Sequence, residues 1–174
     1  MIMTDQNDSL SLQGILKSIT RKRFRDIWEA ARAGNAAILK GEEQKIARIM
    51  MQHQDKYHPF EFVDIMPEHD FAPVNEDDPF AHILVHLAVE NQMEWRDPIE
   101  VYQFYRSMRR RKCDHHQAVH FVHIVFMHSL LDAMKYQTFF DYDGYRNTLK
   151  RLKEETTDNI MAYVKKRYYL FPRH

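Results

Sequence analysis

Pro79-Phe80-Ala81-His82-Ile83-Leu84-Val85-His86-Leu87-Ala88-Val89 opens the most apolar run of the chain. Asp78 before it suits a helix N-cap, and Pro79 suits the first helical position, where the missing N–H would have no partner anyway. Through about Trp95 the run stays apolar nearly all round, at Phe80, Ile83, Leu84, Val85, Leu87, Ala88, Val89 and Met93. A helix without a polar face is central and buried. Asp97-Pro98 repeats the start signal for a helix through Val101, Tyr102, Phe104, Tyr105 and Met108. That helix closes on Arg109-Arg110-Arg111-Lys112, cations that suit the negative end of a helix dipole.

The same spacing rules extend to both ends. Asp114 can cap a helix running to about Tyr136. A final helix follows Asp141 through Tyr145, Leu149, Leu152, Ile160, Tyr163 and Val164. Upstream, Leu10 to Ala33 carries apolar residues at helical intervals, with Gly34-Asn35 as its stop, although Gly41 could move the break. Glu42 to Gln54 reads as a helix burying Ile46, Ile49 and Met50. His58-Pro59 is expected to end it, because the residue before a proline avoids the helical region. The first nine residues are polar and expected to be flexible. Pro59 to Glu76, with Pro59, Pro67 and Pro73, is expected to be an ordered irregular segment over the core. The expectation is one all-α domain over residues 10–174, a bundle of about six or seven helices.

Composition agrees. The 174 residues contain four glycines, where average usage would give roughly twelve, and scarce glycine disfavours a turn-rich β fold. The chain is 44% hydrophobic and 29% charged, within the range of globular domains rather than disordered ones. Lys plus Arg and Asp plus Glu both total 25, so no global field draws the protein to nucleic acid or membrane. The single Cys113 excludes an internal disulfide framework and fits a reducing compartment. With no signal-peptide pattern and no apolar run of membrane-spanning length, the sequence points to the cytoplasm.

Chemistry concentrates in two histidine pairs. His82 and His86 are four residues apart, and His116-Gln117-Ala118-Val119-His120 repeats the spacing. On a helix each pair lies on one face, about 6 Å apart along the axis, able to aim two imidazoles at one point. Two such pairs could ligate one metal or a close pair of metals, with His58 or Glu43 completing the sphere and zinc or iron as the ion. The competing account is that each histidine is a neutral polar core residue bonded through its ring nitrogens. Residues 82 to 86 lack the glutamate of the His-Glu-x-x-His hydrolases, and no Glu-x-x-His unit of the di-iron bundles falls at the expected places. Whether the protein is an enzyme, and on what substrate, is left open.

The string from Asp78 to Gln92 resembles the "NPF-xH-xxx-H-LAI-xx-Q" core of a bacterial family known as domain of unknown function 1841. Phe24…Ile27-Trp28-Glu29-Ala30, Glu43…Ile46-Ala47…His53…Tyr57-His58 and His116 to His120 resemble further stretches of that family in order, so the likeness covers about residues 20 to 152. It implies a helical bacterial protein and directs attention to His58, His82, His86, His116 and His120, without assigning a role. The chain departs from the pattern in its longer ends, its proline-containing insertion, and the extra His115, His123 and His128.

Two features suggest an alternative, a non-enzymatic interaction module. Arg21-Lys22-Arg23-Phe24-Arg25, Arg106 to Lys112, and Lys165-Lys166-Arg167-Tyr168-Tyr169 interleave cations with aromatics, as single-strand binders do. Against this, acidic neighbours such as Glu154, Glu155 and Asp158 should offset them, and zero net charge weighs against nucleic acid. A protein partner or a homo-oligomer stays open. Cys113, between the basic string and a helix start, could be a reactive thiolate or a metal ligand through its spacing to His116; an ordinary loop residue is the simpler assignment.

Overall fold

The computed structural model describes residues 21–62 and 78–168. Those residues form eight α-helices and two short 3-10 turns, and no strand occurs among them. The protein is all-α. By contact density the chain divides into two compact units, residues 1–87 and 88–174.

In the first unit, α1 (Arg21–Arg32) turns Phe24, Ile27 and Trp28 inward. It stops where expected. Gly34 takes φ 73°, its N–H bonds the Ala31 carbonyl at 3.1 Å, and Asn35 N–H bonds the Ala30 carbonyl at 2.9 Å. Those two bonds satisfy carbonyls that the last turn of a helix leaves open. Helix α2 (Glu42–Gln52) buries Ile46, Ala47, Ile49 and Met50.

His58-Pro59 does not end α2. The helix closes at Gln52, and α3 (Tyr57–Glu61) then runs through both residues. Pro59 is tolerated because it sits in the first turn of α3, where backbone N–H groups have no intrahelical acceptor. Phe60 of α3 packs against Trp28, at 5.5 Å between ring centres, and against Phe80 at 5.9 Å. The expectations for residues 1–9, for the start of the first helix and for most of the Pro59–Glu76 segment lie outside the described residues.

Helix α4 (Pro79–Trp95) begins as its sequence indicates. The Asp78 carboxylate accepts from Phe80 N–H at 2.8 Å and Ala81 N–H at 3.1 Å. Phe80, Ala81, Ile83, Leu84, Val85, Leu87 and Val89 are all buried. The boundary between the units falls inside this helix, after Leu87.

The second unit holds α5 (Ile99–Arg110), α6 (His115–Lys135), α7 (Tyr142–Leu152) and α8 (Thr157–Tyr168). Asp97 does not cap α5. Pro98 occupies the cap position in an extended conformation, following a cis peptide. Asp114 caps α6 reciprocally with Gln117, each side chain bonding the other's backbone N–H. Asp141 caps α7 by accepting from Gly144 N–H at 2.8 Å. A Cβ at Gly144 would meet that carboxylate at 2.2 Å, so the cap requires a glycine there.

The single final helix of the sequence reading is two. Thr156 Oγ1 accepts from Asn159 N–H at 3.2 Å and starts α8 afresh. The intervening turn is tied to α5, since the Lys153 carbonyl accepts from Ser107 Oγ at 3.1 Å and Arg111 Nη2 at 2.6 Å. That division, together with α3, brings the helices among the described residues to eight. Tyr145, Leu149, Leu152 and Ile160 complete this unit's core.

Candidate functional site

Three histidines converge in the first unit. His82 and His86 stand one turn apart on α4, with ring centres 4.8 Å apart. The third is His53, the residue that terminates α2. Its ring centre lies 4.8 Å from that of His82 and 4.6 Å from that of His86. Ring nitrogens of the three lie within 4.8 Å of one another. His86 and His53 are 1% and 3% exposed.

The end of α2 sets the chemistry of His53. The ring folds back so that Nδ1 lies 2.7 Å from the Ile49 carbonyl, one of the acceptors a helix C-terminus leaves open. A carbonyl can only accept, so Nδ1 carries the proton. The lone pair is thereby fixed on Nε2, and the ring presents the tautomer that binds metals. His53 Nε2 lies 3.2 Å from His86 Nε2. Two nitrogens bound tetrahedrally to one zinc at 2.0–2.1 Å would sit about 3.3 Å apart. The pair is spaced for a shared ion.

Not every expected residue joins this cluster. Glu43 is gripped by Arg23 in a two-pronged ion pair, both bonds 2.7 Å. His58 is exposed, and its ring lies on Phe62 at 4.7 Å. Glu61 is also engaged, with the Trp28 indole N–H and Arg32 holding its carboxyl below the usual range.

The second pair is formed as its spacing indicates. In the second unit, His116 Nε2 and His120 Nε2 are 2.9 Å apart. His120 stacks on His123, and His115 Nδ1 meets Tyr105 Oη at 2.9 Å. The buried His128 has Asp132 Oδ2 3.8 Å from its Nδ1. Cys113 is half-buried, and its carbonyl accepts from Arg109 at 3.0 Å.

Sequence reasoning missed two features. His53 stands outside any HxxxH spacing, and its only signal was its place in the Glu43…His58 stretch of the resemblance. The other is a buried carboxylate. Glu100, 3% exposed, takes Arg146 Nη2 at 3.0 Å, Arg146 Nε at 3.2 Å and Lys150 Nζ at 3.1 Å. The Arg146 hydrogen bonds above all hold its carboxyl down to about 2, against the opposing effect of burial.

Fold and site together define an all-helical protein with a buried, all-histidine cluster. The family model described as a domain of unknown function (DUF1841) matches residues 17–151, and the chain belongs to that family. No curated protein and no solved structure gives a significant match. No helix among the described residues is long and apolar enough to cross a membrane.

Proposed function

We propose that the protein binds a transition metal, zinc or iron, through His53, His82 and His86. The observation that carries this is the Ile49 carbonyl on His53 Nδ1, which leaves the Nε2 lone pair 3.2 Å from His86 Nε2. Imidazole suits both metals. A set of neutral nitrogens leaves the ion's full charge available to polarise a bound oxygen or a substrate carbonyl. Its own residues supply no carboxylate base between the histidines, so the centre resembles neither a His-Glu-x-x-His hydrolase nor a carboxylate-bridged di-iron pair. Glu43 stays with Arg23 and His58 with Phe62, while His116 and His120 remain proposed as further donors. A cytoplasmic setting belongs to the same proposal, on the strength of the lone Cys113.

Elemental analysis of protein purified without a nickel column tests it. Near-stoichiometric zinc or iron is expected, lost in His53→Ala with His86→Ala. His120→Ala should lower the affinity for added zinc if the second pair contributes. A metal-free, well-folded protein that takes up neither ion would overturn the proposal.

A further inference from the structure

The outward side of α5 carries positive charge without its usual company. Ile99, Tyr102, Gln103, Arg106, Arg109 and Arg110 recur at the three- and four-residue steps of one helical face. The only acidic residue of α5 is Glu100, which is turned inward and held by Arg146 and Lys150. Several arginines of the first unit are matched, Arg23 by Glu43, Arg25 by Glu29 and Arg32 by Glu61.

The cations around α5 are not. Arg96, Arg106, Arg109, Arg110 and Lys112 are exposed, and none forms an ion pair among the described residues. Of the acids expected to offset them, Glu154 is engaged by Lys153 and Glu155 by Asn159. Arg109 reaches only the neutral Cys113 carbonyl. Five exposed cations without an ion pair among the described residues thus lie within one stretch of 17 positions, from Arg96 to Lys112.

Flat rings stand among those cations. The Tyr102 ring has the Arg96 guanidinium 4.7 Å from its centre and that of Arg106 5.8 Å away. Trp95, just before Arg96, is 68% exposed. Guanidinium groups that meet phosphates, beside aromatic rings on which bases stack, are the two requirements of single-strand recognition. An acidic peptide would use the charge and leave the rings idle. A membrane surface would call for a band of aliphatic side chains, and this face has Ile99 alone.

We propose that the outer face of α5, with Trp95 and Arg96 at its start, binds single-stranded RNA. The proposal is independent of the metal centre.

Fluorescence anisotropy of a labelled oligouridylate of about 15 nucleotides with the full chain tests it. Binding is expected at low salt and should weaken steeply as salt rises. Arg106→Gln with Arg110→Gln should weaken it at least tenfold and lower the log–log salt slope by about 1.4, at about 0.7 per lost phosphate contact. Trp95→Ala should weaken binding with the slope unchanged. Lys40→Gln, an exposed cation elsewhere, should change neither. Three results would overturn the proposal. One is no oligonucleotide binding at low salt. Another is inorganic polyphosphate competing as well as RNA while Trp95→Ala has no effect, which marks a general anion surface. The third is arginine-dependent binding of phosphatidylserine vesicles without RNA binding, which marks a lipid surface.

Discussion

The Ile49 carbonyl decides which nitrogen of His53 keeps its proton, so one backbone acceptor makes the residue a candidate ligand. Glu100 shows the same dependence of a side chain on its surroundings, here with a pH consequence. Its carboxyl is held at about 2, against an ordinary 4.5. A depressed carboxylate binds fewer protons folded than unfolded, so its stabilisation is fully present above 4.5 and fades as pH falls from there toward 2. The shift corresponds to at most about 3 kcal/mol, reduced in practice because Arg146 and Lys150 are largely solvated. Chemical denaturation of Glu100→Gln should therefore show lower stability than the parent at pH 7, with the gap closing between pH 4.5 and 2. A gap that stays constant down to pH 2 would refute the charge argument. Neither His53 nor Glu100 was legible as a site in the sequence. His53 reaches His86 across 33 residues, and Glu100 reaches Arg146 across 46, separations that no periodicity encodes.

Helices were legible where a side-chain cap and an apolar face agreed. Helix α4 had both, in Asp78 and in Ile83, Leu84 and Val85, and it begins and buries as those residues require. Leu84→Ala should cost about 2–5 kcal/mol in denaturant unfolding, since the side chain is 2% exposed. Asp78→Ala should cost about 1 kcal/mol by freeing the Phe80 and Ala81 N–H groups. Similar costs for the two would mean that α4 is less buried than described. The boundaries that escaped prediction share a different cause. The break between α7 and α8 rests on Thr156 and on a Lys153 carbonyl bound by Ser107 and Arg111, contacts more than 40 residues distant. Helix α3 escaped because Pro59 signals a stop unless it lies in a first turn, and that depends on α2 ending at Gln52.

At the scale of the whole chain, the boundary after Leu87 cuts a continuous helix, Pro79–Trp95. Separating the chain there would strip hydrogen bonds from the middle of α4. We propose that residues 10–174 unfold as one domain, in a single transition seen alike by far-UV circular dichroism and tryptophan fluorescence. The metal proposal sharpens this. His82 and His86 lie on the shared helix, so an ion bound there in the native state alone stabilises the whole cooperative unit. Zinc at a hundred times its dissociation constant should add about 2.7 kcal/mol, raising one melting temperature for both probes. A chelator should reverse the shift, and His53→Ala with His86→Ala should abolish it. Two resolved transitions, with zinc moving only one, would show that the units melt independently and that α4 does not couple them.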